Sequence, residues 1–342
     1  MSDNAHVFVV CHKAEQAKID RLIKAAGCQC EFGRFATDSQ PYSKNELADI
    51  ARRSDAMMVS SWESCTRPVM EASSRLRTIA KFGIGLEKID LEAATSLGIL
   101  VSHTPISENY VAVAEGTVAR ILALSKSLKS AEHSLRSGFW KSLLCTYMRG
   151  KTVGIIGLGR IGSRLARLLE PWELKIVAYD PYIPMDRFEF VGAEPVNLES
   201  LLRQSDFVTI HCNATEETSR MIGEEELRMM KNTAYLVNTA RGTILDDLAL
   251  ARALREGWIA GAALDVFEPE PLHSKSPLLS TDIADKIWLT PHVIAATPEA
   301  RSRMAEVQVE NCLRALEGEI PRYVANPDVI PLWRKRFSSR SV

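Results

Sequence analysis

The chain carries almost no net charge: 42 Lys and Arg stand against 43 Asp and Glu, for a formal charge of -1 at pH 7. Taken whole, it exerts no pull on nucleic acid or on an anionic membrane. No stretch approaches the ~20 consecutive apolar residues of a membrane span. The opening Ser2-Asp3-Asn4-Ala5-His6 has no basic flank, and the run Val7 to Val10 is too brief for a signal h-region. The seven cysteines (11, 28, 30, 65, 145, 212, 312) form no Cys-x-x-Cys pair, and Cys28-x-Cys30 lacks a second pair, so no metal site is expected. Unpatterned thiols in odd number fit a reducing compartment, and a cytoplasmic protein is expected. Repeats at a solenoid period and low-complexity tracts are missing too. The basic run Arg334, Lys335, Arg336, Arg340 is short and is expected to be a solvated, partly frayed tail.

What is present is the composition of a globular protein, 46% apolar and 25% charged, over 342 residues, which suits two domains. Short β-branched runs alternate with amphipathic stretches, the pattern of α/β folds with parallel sheets. The first part predicts strands at 6–11, 56–60 and 77–82, with helices at 13–26 and 44–53. An apolar helix is predicted over Val111 to Leu128, interrupted by Glu115, Arg120 and Ser125, joining two domains or packing at a subunit interface. A second series predicts strands at 152–156, 175–179, 206–210, 233–237, 260–264 and 286–289, and a last long helix over 298–317. That helix is expected to return to the first domain. The expectation is two Rossmann-like, doubly wound domains. One is discontinuous (1–104 plus 297–342) and flavodoxin-like; the other spans 105–296.

The strand Thr152 to Ile156 runs into Gly157-Leu158-Gly159-Arg160-Ile161-Gly162, a Gly-x-Gly-x-x-Gly turn followed by a helix and by a strand ending in Asp180. Gly157 suits the tight turn, Gly159 lets backbone approach a pyrophosphate, and Gly162 lets helix and strand pack closely. The pyrophosphate would sit on the helix N-terminus. Asp180 is placed to bind ribose hydroxyls and to repel a 2′-phosphate, which favours NAD over NADP. A glycine-rich structural turn would need none of this context.

Further along, Asn238-Thr239-Ala240-Arg241-Gly242, Asp265-Val266-Phe267-Glu268-Pro269-Glu270-Pro271 and Thr290-Pro291-His292 each follow a predicted strand. Ligands of doubly wound sheets bind outside the carboxyl ends of the strands, so Arg241, Asp265, Glu270 and His292 are expected to converge. Reduction of a 2-oxo acid needs a proton donor, which His292 can be. A neighbouring carboxylate, Glu270, favours the imidazolium. Arg241 can fork onto a carboxylate and a polarised carbonyl, and Asp265 could accept from the nicotinamide carboxamide. Taken singly, each has a plainer explanation as a surface ion pair, a turn cap or a loop hydrogen bond. Taken together, downstream of the dinucleotide turn, they point to a hydride-transfer site.

These segments resemble the D-isomer-specific 2-hydroxyacid dehydrogenases, from about Ile79 to Asn326 and more loosely before. The resemblance implies an NAD-dependent oxidoreductase acting on a small 2-oxo or 2-hydroxy acid, with Arg241, Glu270 and His292 as the catalytic triad. It implies that the backbone at Ile84-Gly85 binds the substrate carboxylate and that Thr117, Arg160, Ile161, Asp180, Ala240 and Asp265 contact NAD. It also implies a homodimer, formed through the cofactor domains and linking helices. Departures from the common pattern are His103 where Asn is usual, a span from Pro105 to Glu115 about one residue longer, Asn213 after His211, and Ile294 near His292, which is expected to crowd that loop. Ser60 stands where many relatives carry Arg, so an unphosphorylated substrate is expected, with Ser61 facing it and Trp62 forming an apolar wall or packing on a helix. Two alternatives remain at this stage: an NAD(H)-sensing protein of the corepressor kind, and phosphite- or formate-type dehydrogenation. Formate dehydrogenases carry an amide where this chain has Glu270.

Overall fold

The structure, a computed structural model, describes residues 4–35, 40–140 and 142–338. It comprises two compact units, Met1–Asn109 with Pro298–Val342, and Tyr110–Thr297.

The first unit is built on β1 (His6–Val9), β2 (Gln29–Phe32), β3 (Ala56–Val59), β4 (Thr78–Lys81) and β5 (Leu100–Ser102). All pair in parallel, in the order β2-β1-β3-β4-β5. A parallel sheet is covered on both faces, so its inner strands read as continuous apolar runs whose alternate residues serve opposite cores. Phe8, Met57, Val59, Ile79 and Val101 meet Leu47 and Ile50 of the helix Lys44–Arg53. Val7, Val9, Ala56, Met58 and Ala80 share the other core with Ile19 and Ile23 of the helix Lys13–Ala25 and with Ala305, Val309 and Cys312 of the helix Pro298–Leu316. The C-terminal return is therefore part of this core. Gln308 on it is buried, and its amide donates to the carbonyls of Val59 (3.1 Å) and Ala80 (2.8 Å).

The basic C-terminal run is not a frayed tail. Ile330–Ser338 is a helix that buries Trp333, whose indole N–H donates to the Arg77 carbonyl at 3.1 Å. Arg336 donates to the carbonyls of Ser74 (3.0 Å) and Leu97 (2.5 Å). One aromatic anchor outweighs the local charge. Arg340 lies outside the described residues.

The second unit carries β6 (Thr152–Ile156), β7 (Lys175–Tyr179), β8 (Glu194–Pro195), β9 (Phe207–Ile210), β10 (Tyr235–Asn238), β11 (Gly261–Leu264) and β12 (Ile287–Leu289). These form one parallel sheet in the order β12-β11-β10-β9-β6-β7-β8. Its register places Tyr179, Ile156, Ile210, Asn238, Leu264 and Leu289 in one row across the strands. The segments that follow these residues consequently leave the sheet along one edge. The apolar helix runs Ser107–Ser125, earlier than its pattern suggested. Ser127 then takes a left-handed conformation (φ 49°), and a separate helix, Leu128–Arg136, follows. β2, β5 and β8 escape a pattern search because each is a short edge strand, and β2 and β8 carry polar residues.

Replacing Gln308 with Leu should leave both strand carbonyls without that donor and lower stability by about 1–3 kcal/mol. The midpoint of urea unfolding should fall, with activity per folded molecule unchanged.

Candidate active site

The glycine turn is shaped by close contacts. Gly157 has φ +90°, and a Cβ there would lie 2.5 Å from the Cys212 backbone nitrogen. A Cβ at Gly162 would lie 2.1 Å from the Gly157 carbonyl oxygen, so turn and helix touch. Gly159 is different: it caps the helix Arg160–Leu169, is exposed, and a Cβ there would meet nothing. Two glycines thus close the turn down and the third leaves its outer side open, the cradle a pyrophosphate fits. Arg160 and Ile161 form the first helical turn, Arg160 exposed and Ile161 half-buried. Asp180 is half-buried; its Oδ2 accepts from the Leu158 N–H at 2.9 Å and its Oδ1 from the Tyr182 N–H at 3.0 Å. It braces the glycine turn as well as presenting a charge.

On the same strand edge, Asn238 holds the next turn through both ends of its amide. Its Nδ2 donates to the Arg241 carbonyl (2.9 Å) and its Oδ1 accepts from the Ala240 N–H (3.0 Å). Arg241 is half-buried and donates from Nη1 to the Ala240 carbonyl at 2.6 Å. A Cβ at Gly242 would lie 2.0 Å from the Phe267 carbonyl carbon, so only glycine lets this turn rest on the Phe267–Glu268 segment.

Glu270 and His292 meet directly. The imidazole Nδ1 lies 2.8 Å from Glu270 Oε2, while Oε1 accepts from the Phe267 N–H at 3.0 Å. With Nδ1 committed to a carboxylate, Nε2 is the nitrogen left to exchange a proton with a ligand. Both side chains keep solvent access, 38% for His292 and 26% for Glu270. Burial raises the Glu270 carboxyl's affinity for a proton. The His292 hydrogen bond and charge, the Phe267 N–H and the positive Arg241 together outweigh this and hold it below the usual carboxylate range. Its ionised form, and the stability the pair contributes, persist above the ordinary carboxylate pKa and disappear as the pH falls through the lowered value.

Two residues expected at the cofactor are also tied into the protein itself. Asp265 is fully buried, and its carboxylate accepts from Arg120 Nη2 (3.0 Å), the Val293 N–H (3.1 Å), the Ile294 N–H (3.0 Å) and the Thr290 hydroxyl. Three of these donors reach Oδ1, while Oδ2 takes only the Ile294 N–H and keeps a lone pair for a further donor. Thr117 is buried as well; its hydroxyl donates to the Val113 carbonyl (2.8 Å) and lies 3.2 Å from the Thr239 hydroxyl. Ala240 is nearly buried. Nor does Ile294 crowd the histidine: its Cγ1 would lie 2.2 Å from a Cβ at Gly116, so the side chain rests on helix backbone where a side chain is missing.

In the first unit, Ser60 is buried and spends its hydroxyl and N–H on Glu63 Oε2, both at 2.7 Å. Ser61 is exposed and accepts from Lys81 Nζ at 3.0 Å; Trp62 is half-buried. The Ile84 carbonyl accepts from His103 Nδ1 at 3.1 Å, so the imidazole standing where Asn is usual braces the Ile84-Gly85 turn, with Gly85 half-buried. The buried cations Arg120 and Lys81 and the buried Glu63 were missed as site residues. The signal was present for both cations, a charge inside an apolar run, but such a charge reads equally well as a run's interruption.

Glycine turn, helix N-terminus and an acid–base pair on one strand edge define a dinucleotide-binding oxidoreductase. Residues 118–294 match the family described as D-isomer specific 2-hydroxyacid dehydrogenase, NAD binding domain. The chain is 42% identical over 310 residues to a glyoxylate reductase of Thermofilum pendens, covering 88% of this chain and 90% of that protein. It is 38% identical over 292 residues to a D-3-phosphoglycerate dehydrogenase of Methanocaldococcus jannaschii, covering 84% of this chain and 55% of that longer protein. A D-lactate dehydrogenase from Aquifex aeolicus, solved with NAD and lactic acid, superposes with a TM-score of 0.82 at 28% identity, over 94% of this chain and 99% of that one. The chain belongs to the D-isomer specific 2-hydroxyacid dehydrogenase family. It is an NAD-dependent oxidoreductase that interconverts 2-hydroxy and 2-oxo acids. No helix among the described residues is long and apolar enough to cross a membrane.

Glu270→Gln keeps the shape of the pair and removes the charge that favours the imidazolium. The kcat/KM for 2-oxo acid reduction should fall at least about tenfold, with the NADH dissociation constant little changed.

Proposed function

We propose that this enzyme reduces a small, unphosphorylated 2-oxo acid of the glyoxylate or hydroxypyruvate type, with NADH as donor. The observation that carries the reading is the 2.8 Å pairing of His292 Nδ1 with Glu270, on the strand edge that also bears the glycine turn. Bound NADH supplies the hydride that C2 of the acid receives. His292 delivers the proton to the carbonyl oxygen from Nε2, and Glu270 holds the ring and stabilises its charged form. The Arg241 guanidinium forks onto the substrate carboxylate and the carbonyl. Within the first unit, the Ile84-Gly85 backbone is the expected contact for an acid's carboxylate, with Ser61 and Trp62 expected at its substituent. Lys81 there spends its ammonium on the Ser61 hydroxyl (3.0 Å) and on the Phe82 carbonyl. That argues against a phosphate receptor at this position. Gly157, Gly159, Arg160, Ile161, Gly162, Asp180 and Ala240 form the cofactor-binding surface; Thr117 and Asp265 support it from behind.

Initial rates with glyoxylate, hydroxypyruvate and 3-phosphohydroxypyruvate, each with NADH and NADPH, test the proposal. An unphosphorylated acid with NADH should lead by at least about tenfold in kcat/KM. Preference for the phosphorylated acid refutes the substrate class, and absence of turnover with every acid favours an NAD(H)-sensing role. Asp180→Asn, which keeps an acceptor for the Leu158 N–H, should narrow the preference for NADH.

The segment after the helix Ser107–Ser125 supports a homodimer. It exposes Leu135, Phe139, Trp140 (95%), Leu144 (99%) and Tyr147 within a short stretch, and exposed apolar side chains in such numbers mark an interaction surface. Light scattering should give twice the 38.0 kDa chain mass, and Trp140→Glu with Leu144→Glu should give the monomer. Seven free thiols, three of them buried, support a reducing, cytoplasmic setting.

A further inference from the structure

Arg120 sits in the middle of an apolar helix, only 6% exposed, which is a costly place for a guanidinium. Both terminal nitrogens are engaged. Nη1 donates to the Gly116 carbonyl at 3.1 Å, Nη2 donates to Asp265 Oδ1 at 3.0 Å and to the Thr290 hydroxyl, and the guanidinium carbon lies 5.5 Å from the Trp288 ring centre. Asp265 in turn accepts from the N–H groups of Val293 and Ile294, the two residues after His292. Its own carbonyl accepts from the His292 N–H at 2.8 Å. His292 has φ +51°, a conformation that non-glycine residues avoid unless their surroundings enforce it. Ile294 completes the grip by seating on the bare backbone at Gly116, one helical turn before Arg120.

We propose that Arg120 is a positioning residue: through the buried Asp265 carboxylate it clamps the loop Thr290–Ile294 and so sets the geometry of the His292 ring. The chain of cause is short. An unpaired carboxylate in that interior would take up a proton or draw in water, and either change removes acceptor capacity that the loop N–H groups use. An apolar residue at position 120 would fill the space without holding the charge. Arg120 touches neither His292 nor Glu270 and reaches Asp265 through Oδ1 alone, so its loss acts on the placement of the His292 loop more than on NADH binding. The proposal rests on His292 being the acid–base group.

A double-mutant cycle separates the two claims. Single-turnover reduction of glyoxylate by NADH, or of hydroxypyruvate if that acid is faster, is measured for Arg120→Met, His292→Asn and the pair, with NADH affinity from fluorescence and folding from circular dichroism. Arg120→Met should slow the turnover at least about tenfold, as small misplacements of a catalytic group do, with the NADH dissociation constant within about threefold of the parent. Arg120→Lys should recover part of the rate, and in the His292→Asn background Arg120→Met should add less than about twofold. An unchanged rate in folded Arg120→Met overturns the inference. So does an equal loss in both backgrounds, or a loss of NADH affinity as large as the loss of rate. A fully active His292→Asn enzyme overturns the acid–base reading instead. If Arg120→Met does not fold, Arg120→Met with Asp265→Asn leaves no buried charge unpaired and serves in its place; there a parental rate overturns the clamp and a slow one upholds it.

Discussion

A carboxylate with no exposure to water has to be answered by donors from the protein, and at Asp265 that requirement organises the catalytic edge. Its partners come from a helix, from a neighbouring strand end and from two successive loop amides. Because the buried charge tolerates no vacancy, the loop bearing His292 has one arrangement that satisfies it. The left-handed backbone at His292 is held within that arrangement. The burial of the charge and the order of the loop are thus the same fact seen from two sides.

Glu270 shows how differently the same functional group behaves a short way off. It keeps partial exposure and accepts a backbone N–H, and its second oxygen meets an imidazole. Its charge is held by a group that itself titrates, so the pair can share protons with a ligand. Asp265 faces a guanidinium that does not titrate in the working range, and it is structural for that reason. Exposure and the chemistry of the partner, rather than residue type, sort the two acids into their roles.

Much of this was legible before any coordinates. The alternation of apolar runs located most strands, because a parallel strand buried on both faces has no choice but to be apolar. Gly157, Gly159 and Gly162 announced a turn and helix N-terminus: a side chain at the first or third would collide with backbone, and the second leaves the turn's outer side open. Arg241, Glu270 and His292 were visible because each follows a strand, and strand ends share an edge in a doubly wound sheet. The short edge strands, the break at Ser127 and the docking of Trp333 were not legible. They depend on contacts with distant segments and leave no periodic trace.

By itself the sequence determined the α/β architecture, the dinucleotide turn and the family, and it singled out the candidate groups on the strand edge. These follow from local periodicity and from backbone sterics, which act within a few residues. Tertiary structure alone decided which polar groups face the solvent. It turned Asp265 and Thr117 inward, spent the Ser60 hydroxyl on Glu63, seated Ile294 on Gly116 and brought Arg120 to a carboxylate 145 residues away. Exposure is a property of the packed chain, and no stretch of sequence carries it alone.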